Sequence, residues 1–231
     1  KPLVWTGRIK RFFSLLVLFT FILSFVAKCT FVMAPFILAF IVSLVVEKVL
    51  FLGFKAKAKA KIENSKDMKI VGITASYGKT SIKNFLNHIL EGSFRTYATP
   101  RSVNTLGGII KDINDDLPDN TQVYIVEMGA RVKGDIAEIA TFVNPQFVVV
   151  GKIGPAHIEY FKTLDNIIAT KLEILQSSNL KEAWLHDSTK AQNSEKIHTF
   201  GTNITNAEAT LDGISFELDG EIGRASCRER V

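Results

Sequence analysis

Two long apolar runs occupy the first quarter of the chain. Residues 12–27 and 30–46 are almost unbroken apolar stretches, interrupted only around Lys28. Each run has about the minimum length for crossing a bilayer and is far too long for a buried strand. A signal peptide would explain only the first run, and no small-residue cleavage site follows it. The pattern predicts an α-helical transmembrane hairpin within residues 1–54, with a single long helix broken near Pro35 as the alternative.

From Lys69 onward, short strand patterns alternate with helical patterns. The predicted strands are residues 69–74, 96–98, 123–128, 147–150, 183–185 and 197–200. Helical periodicity fills most of the gaps, at residues 79–90, 105–113, 133–142 and 164–176. This alternation predicts an α/β domain over residues 69–220, with a mainly parallel sheet flanked by helices. Residues 207–211 and 213–218 are predicted to form a β-hairpin.

The positive charge of the chain is concentrated around its apolar region. The basic residues that flank this region are Arg8, Lys10 and Arg11 before it and Lys48, Lys55, Lys57, Lys59 and Lys61 after it. Positive flanks favour the cytoplasmic side, so both ends of the hairpin are expected to face the cytoplasm, with the hairpin itself in contact with membrane lipid. A single broken helix would separate the two basic clusters, so their shared charge argues against it. Residues 55–68 are interpreted as a basic linker with at most partial helix.

Composition narrows the function classes. The 231 residues suffice for one α/β domain and a smaller part, and the net charge is +5. No interleaving of basic and aromatic residues of the kind that stacks bases follows the apolar region, so nucleic acid is not expected as a partner. The two cysteines, Cys29 and Cys227, indicate neither a disulfide framework nor a zinc site.

A phosphate-binding loop is predicted where the first strand of the α/β domain turns into a helix. Residues 72–81 read GITASYGKTS. Backbone N–H groups and the helix dipole favour a phosphate in such a turn, Lys79 adds a full positive charge, and the Thr80 hydroxyl is placed to ligate Mg²⁺. The spacing departs from GxxxxGK[ST], because Ile73 stands six residues before Lys79. The plain alternative is a turn with an exposed lysine.

Other polar residues follow the next strands. Glu127 ends the strand at 123–128 and suits a Mg²⁺ ligand or a water-orienting group, unless it is merely solvated. His157 lies on a Gly- and Pro-containing loop after the strand at 147–150, either as a metal ligand or as a turn residue. Asn104 and Thr105 lie in a segment that holds a substrate or caps a helix, and sequence alone does not separate the two. Lys171 is predicted to be an ordinary surface lysine of an amphipathic helix.

Three motifs together resemble the ATP-binding central domain of Mur ligases. They are GITASYGKTS at 72–81, EMGAR at 127–131 and GPAHIE at 154–159. Their order and context are most similar to the MurF type, which adds D-alanyl-D-alanine to UDP-N-acetylmuramoyl-tripeptide in peptidoglycan precursor synthesis. The resemblance covers about residues 70–220, and Ala75 stands where many members have glycine.

The resemblance implies a role for each matching residue. The implied ATP-binding residues are Thr74, Ala75, Ser76, Tyr77, Gly78, Lys79, Thr80 and Ser81. Lys79 would contact the β and γ phosphates, and Thr80 and Glu127 would hold one Mg²⁺. His157 would help to hold a second metal, and Lys171 matches a carbamylated lysine whose carbamate would be a metal ligand. Lys79, His157 and Lys171 are therefore the implied catalytic residues, and Asn104 and Thr105 match the substrate loop.

The implied reaction uses ATP to activate the tripeptide carboxylate as an acyl phosphate, from which the amine of D-alanyl-D-alanine displaces phosphate. Two departures from the family modify this expectation. The hairpin replaces the usual N-terminal UDP-sugar domain, and the C-terminal domain does not follow, so the fragment alone is expected to be inactive. Residues 221–231 (EIGRASCRERV) resemble a translated vector or adapter sequence and are expected to be a non-native tail.

Rival functions stay open at this stage. Another amide ligase of the same superfamily, of the folylpolyglutamate or cyanophycin synthetase type, is the nearest. A membrane-tethered nucleotide switch would bind nucleotide and signal through a partner. A transporter or structural membrane protein is disfavoured because only the first quarter of the chain is apolar and its spans carry no intramembrane ionisable residue before Glu47.

Overall fold

The computed structural model describes residues 5–26, 33–101, 103–156, 158–201, 204–210, 213–218 and 221–226. His157 and the last five residues of the chain therefore lie outside the described residues. The chain forms two compact units, Lys1–Ala60 and Lys61–Val231.

The first unit contains two helices. Helix α1 is Gly7–Phe21, continued by a π-helical turn at Ile22–Val26, and helix α2 is Met33–Asn64, which extends past this unit. The Phe12 and Phe36 rings meet edge to face at a centroid distance of 5.7 Å, and Arg11 Nη2 lies 2.7 Å from Glu47 Oε1. Within the described ranges, α2 alone has the length and apolar composition needed to cross a bilayer. The transmembrane hairpin stays a prediction.

Helix α2 corrects the expectation for residues 55–68. The helix continues to Asn64, so the expectation of at most partial helix is wrong for residues 55–64. The reason is local, because the alternating lysines and alanines of this stretch are strong helix formers. Pro35 lies in the first turn of α2, where its missing N–H has no helical partner to lose. It therefore starts this helix instead of breaking it.

The second unit contains a six-stranded parallel sheet. Its strands are β1 (Lys69–Thr74), β2 (Thr96–Ala98), β3 (Val123–Glu127), β4 (Phe147–Val150), β5 (Glu182–His186) and β6 (Ile197–Phe200). The strand order is β2-β3-β1-β4-β5-β6, and every pairing is parallel. Strand β1 therefore lies between β3 and β4, and the three carboxyl ends form one edge. This confirms the predicted α/β class with a mainly parallel sheet.

Helices cover the sheet. They are α3 (Lys79–Glu91), α4 (Leu106–Asp115), α5 (Asp135–Val143), α6 (Ile158–Phe161) and α7 (Leu164–Leu172), with a 3₁₀ turn at Glu173–Gln176. On one face, Ile82 and Leu86 of α3 pack against a core formed by Val71, Ile73 and Ile125. The apolar spacing of α3 matches one side of a 3.6-residue helix, which is why this helix lies flat on the sheet.

A small antiparallel sheet follows β6. Its strands are β7 (Ile204–Ala209), β8 (Gly213–Leu218) and β9 (Glu221–Ser226). The β7–β8 pairing confirms the predicted hairpin. Strand β9 pairs with β8 along its whole length, although residues 221–231 were not expected to take part in the fold. The unpaired N–H and C=O groups at a strand edge accept an added strand whatever its origin, and the non-native tail stays a prediction.

Candidate active site

The loop between β1 and α3 has the geometry of a phosphate cradle. Gly78 has φ 74°, a left-handed conformation that favours glycine, and the N-terminus of α3 follows it directly. Ser76 fixes the loop to the β4 side, because its backbone N–H donates to the Lys152 carbonyl (3.0 Å) and its hydroxyl to the Gly154 carbonyl (3.1 Å). The positive end of the α3 dipole therefore lies directly after a glycine turn whose position is fixed by the loop after β4.

Ala75, at a position where the resemblance leads one to expect glycine in many members, is accommodated by a glycine on the neighbouring loop. Ala75 is fully buried. A Cβ added at Gly151 would lie 3.0 Å from the Ala75 Cβ and 2.6 Å from Ile82 Cδ1. The absence of a side chain at Gly151 therefore makes the room that Ala75 needs.

Glu127, at the carboxyl end of β3, has polar contacts to several residues around it. Only 1% of this residue is exposed, so the alternative of a solvated strand-end glutamate is wrong. Thr80 Oγ1 donates to Glu127 Oε2 (2.9 Å), and Asn104 Nδ2 donates to Glu127 Oε1 (3.2 Å). Lys83 Nζ lies 3.4 Å from Glu127 Oε2. The carboxylate is thus held between α3 and the loop after β2, and its partners compensate the cost of burying its charge.

Lys79 lies close enough to Glu127 for their charges to interact. Its ammonium group donates to the Ala75 carbonyl of its own loop (3.0 Å). Burial lowers the pKa of Lys79, and the nearby Glu127 carboxylate acts in the opposite direction. The side chain is therefore a partly desolvated cation beside the phosphate cradle, as a triphosphate site requires.

Lys171 is buried, so the prediction of an ordinary surface lysine is wrong. It is 5% exposed and lies on α7 next to buried Ile167 and Ile168. Burial lowers its pKa to about 8, with a further lowering by Lys79 and an opposing effect of Glu173. Lysines are rarely buried without a function or a partner, which is why the sequence pattern alone favoured the surface.

One cavity of about 420 Å³ joins these elements. Residues of the phosphate loop, of α4 and α5 and of the motif at 127–131 line it: Ala75, Ser76, Lys79, Asn104, Thr105, Leu106, Gly129, Ala130, Arg131, Asp135, Glu138, Ile139, Ala156, Phe161 and Lys171. Three cationic side chains, Lys79, Arg131 and Lys171, therefore face a space large enough for part of a polyanionic ligand.

The segment at Asn104 and Thr105 fits both of the roles that the sequence left open, namely capping a helix and bordering a substrate. Thr105 is the N-cap of α4, since its Oγ1 accepts from the Gly108 N–H (3.3 Å). Asn104 contacts Glu127, and its carbonyl accepts from the Gly129 N–H (2.8 Å). Both residues also line the cavity. The segment caps a helix and at the same time borders the candidate substrate space.

Among the described residues, three buried charged side chains, Lys83, Asp112 and Glu173, are absent from the predicted site residues, and Lys83 and Glu173 are the two that bear on the site. Lys83 is 1% exposed and joins α3 to the loop after β2, and Glu173 is 6% exposed. The carboxylate of Glu173 accepts from the backbone N–H groups of Gly134 (2.9 Å) and Ala137 (3.2 Å) at the start of α5. For Lys83 a signal existed, because positions 79, 82, 83 and 86 share one helix face and two of them are apolar.

The comparison with protein families decides what kind of domain carries this site. The family described as "Mur ligase middle domain" matches residues 73–225, well over half of the chain. The chain belongs to the Mur ligase family. The part of the chain that matches the family includes the phosphate loop from Ile73 onward, Glu127, Lys171 and the small antiparallel sheet as far as residue 225. The resemblance carried by the three motifs is confirmed.

Curated relatives of this Mur ligase chain carry the name UDP-N-acetylmuramoyl-tripeptide–D-alanyl-D-alanine ligase. The protein of Rickettsia prowazekii is 32% identical over 127 residues, which cover 55% of this chain and 28% of the relative. The Bacillus subtilis protein is 30% identical over 158 residues, which cover 66% of this chain and 34% of the relative. The match thus spans about a third of these relatives or less.

Solved structures of Mur ligases share the fold. MurF from Thermotoga maritima in complex with ADP superposes with a TM-score of 0.64 and 25% identity, covering 76% of this chain and 44% of that one. MurF from Acinetobacter baumannii gives a TM-score of 0.65 at 23% identity, covering 76% and 42%. The similarity to the Acinetobacter baumannii structure shows the fold alone. The Thermotoga maritima structure was solved with a bound nucleotide.

Proposed function

We propose that the chain is part of an ATP-dependent ligase of the MurF type, which joins D-alanyl-D-alanine to UDP-N-acetylmuramoyl-tripeptide in peptidoglycan precursor synthesis. One observation carries the proposal. Lys79 of the phosphate loop, Asn104 of the candidate substrate loop and buried Lys171 border a single cavity, in a Mur ligase chain whose curated relatives bear the name of this ligase.

In the first chemical step, a carboxylate oxygen of the tripeptide forms a bond to the γ-phosphorus of ATP, and the bond from that phosphorus to ADP breaks. Two anions must approach each other for this to occur. Lys79 offsets their repulsion from the phosphate cradle, in a partly desolvated setting that strengthens its effect. The backbone N–H groups around Gly78 hold the phosphates in line.

In the second step, the amine nitrogen of D-alanyl-D-alanine attacks the acyl carbon, phosphate leaves with the electron pair of the bond that breaks, and the amine proton passes to water. Asn104 and Thr105 border the space where the acyl group would lie. The cavity lining supplies cations for the departing phosphate, namely Lys79 and Arg131.

The residues of the site fit Mg²⁺. Thr80 Oγ1 and Glu127 Oε2 are hard oxygen atoms 2.9 Å apart, at the start of α3 and the carboxyl end of β3, and both are of the kind that binds Mg²⁺. When bound, Mg²⁺ would neutralise phosphate charge and orient the γ-phosphate. In the described part of the chain, no three His, Cys, Asp or Glu side chains are grouped for a metal. The second metal, held by His157 and a carbamylated Lys171, stays a proposal.

The N-terminal unit is proposed to anchor the ligase to the membrane, with the catalytic domain facing the cytoplasm. The support is the apolar length of α2, whose large side chains are mostly exposed, together with the basic residues at both ends of the apolar region. Removal of residues 1–54 is expected to move the protein from the membrane pellet to the supernatant after alkaline extraction. A full-length protein that is already in the supernatant would contradict the anchor.

The function is tested with the protein expressed from the complete reading frame. ADP release is followed with ATP and Mg²⁺, adding the UDP-linked tripeptide and D-alanyl-D-alanine singly and together. We expect release that requires both, and its loss in Lys79→Ala. The exposed Lys111, replaced in the same way, is the matched control. Folded, nucleotide-binding protein that releases no ADP with both substrates would refute the proposal and favour a nucleotide switch or another amide ligase.

A further inference from the structure

A buried lysine with no role in the proposed reaction connects helix α3 with the loop after β2 and with Glu127. Lys83 lies on α3, one turn after Lys79, and is 1% exposed. Its ammonium group donates to the carbonyls of Thr99 (2.6 Å) and Arg101 (2.7 Å) and lies 3.4 Å from Glu127 Oε2. An ammonium group has three N–H donors, and three oxygen atoms surround this one. The charge is therefore partnered by three oxygen atoms although the side chain is almost fully buried.

The loop that Lys83 holds is not relaxed. We call residues 99–105 the substrate loop, in which Ser102 lies outside the described residues. Arg101 has φ 39°, a left-handed conformation that a side chain with a Cβ disfavours. Such a conformation is unfavourable for a residue with a side chain and persists where surrounding contacts impose it. The hydrogen bond from Lys83 to the Arg101 carbonyl is such a contact.

The same loop reaches Glu127 by two further routes. The Glu127 backbone N–H donates to Thr99 Oγ1 (3.1 Å), and Asn104 Nδ2 donates to Glu127 Oε1 (3.2 Å). The substrate loop therefore lies between the proposed magnesium ligand and the cavity. Lys83 contacts two backbone carbonyls of this loop and the Glu127 carboxylate at once.

We propose that Lys83 is a positioning residue of the ligase, which fixes the substrate loop from the nucleotide side of the site and so prepares the binding place for the carboxylate substrate. This inference rests on the proposed function for its kinetic part only. The two short hydrogen bonds of Lys83 are to the substrate loop. Glu127 also accepts a hydrogen bond from Thr80, and this bond does not depend on Lys83. Removal of the Lys83 ammonium is therefore expected to loosen the loop more than the nucleotide site.

Hydrogen exchange on the 231-residue chain, solubilised without nucleotide or metal, tests the positioning directly. In Lys83→Met, the backbone amides of residues 99, 101 and 103–105 are expected to exchange about tenfold faster, while those of β1 and β4 keep the wild-type rates. Lys83→Gln keeps a neutral donor for one carbonyl and should give a smaller increase. If Lys83→Met does not fold, the same exchange measurement on Lys83→Gln tests the proposal. Lys111→Met, at an exposed lysine of α4, is the matched control.

The kinetic readout uses the complete protein. For Lys83→Met we expect the KM for the carboxylate substrate to rise roughly tenfold or more, with the KM for ATP within roughly threefold of wild type. Unchanged loop exchange in both variants would overturn the proposal, as would equally faster exchange in the sheet, which would make Lys83 a general structural residue. Equal rises in both KM values would also contradict it. A wild-type protein without ligase activity would refute the proposed function and leave the exchange result standing.

Discussion

Lys171 should take up carbon dioxide readily. Its pKa of about 8 compares with an ordinary value of 10.5. At about pH 7.5, a lysine with this pKa is roughly one-quarter neutral, whereas an ordinary lysine is only about 0.1% neutral. Because the neutral Nζ attacks carbon dioxide, forming an N–C bond and releasing a proton, the reactive population at Lys171 is larger by about two orders of magnitude. Lys79 would stabilise the carbamate anion that results.

The assay is ¹³C NMR of the solubilised chain with ¹³C-bicarbonate. We expect one carbamate resonance at about pH 8, which weakens as the pH falls below the pKa of Lys171 because the amine becomes protonated. Lys171→Arg should lack the resonance and Lys111→Arg should keep it. Lys79→Met removes a cation that lowers the pKa of Lys171, so the resonance should weaken at a given pH. A spectrum without the resonance, or one in which Lys171→Arg retains it, would refute the reasoning.

Three further substitutions probe the scaffold. Tyr124→Phe removes a fully buried hydroxyl that donates to Asp112 Oδ2 (3.0 Å), and urea unfolding should show a loss of about 1–3 kcal/mol; an unchanged midpoint would contradict this. Glu173→Ala frees the Gly134 N–H and also lowers the pKa of Lys171, so α5 amides should exchange faster and carbamate should persist to lower pH. Gly78→Ala forces a Cβ into the left-handed region at about 1–2 kcal/mol, and nucleotide titration should show weaker binding than in wild type.

The sheet could be predicted because its signals are local. The predicted bounds of β1, β2, β4 and β6 coincide with the structure, since each is a short segment rich in apolar, aromatic or β-branched residues. The phosphate loop was equally accessible, because strand, glycine turn and helix follow one another in the sequence. Glu127 could be placed at a strand end without knowledge of any partner.

The two buried lysines show what local patterns leave out. Lys83 and Lys171 both lie on the apolar face of their helices, yet a lysine is expected at the surface. What permits the burial of Lys83 is a set of oxygen atoms from Thr99, Arg101 and Glu127, which are 16 to 44 residues away in the chain and meet only in the fold. For His157, outside the described residues, the metal-binding role stays a prediction.

The central place of β1 in the sheet has a consequence for the order of events during synthesis. Its neighbours are β3 and β4, which end at Glu127 and Val150. The phosphate loop lies near the start of this domain, but its supports at Glu127, Lys152 and Gly154 are made much later. Long-range parallel pairings are slow to form. A nascent chain should therefore gain the ability to retain nucleotide only after Gly154 has left the ribosome, in one step when somewhat more than half of the domain has been made.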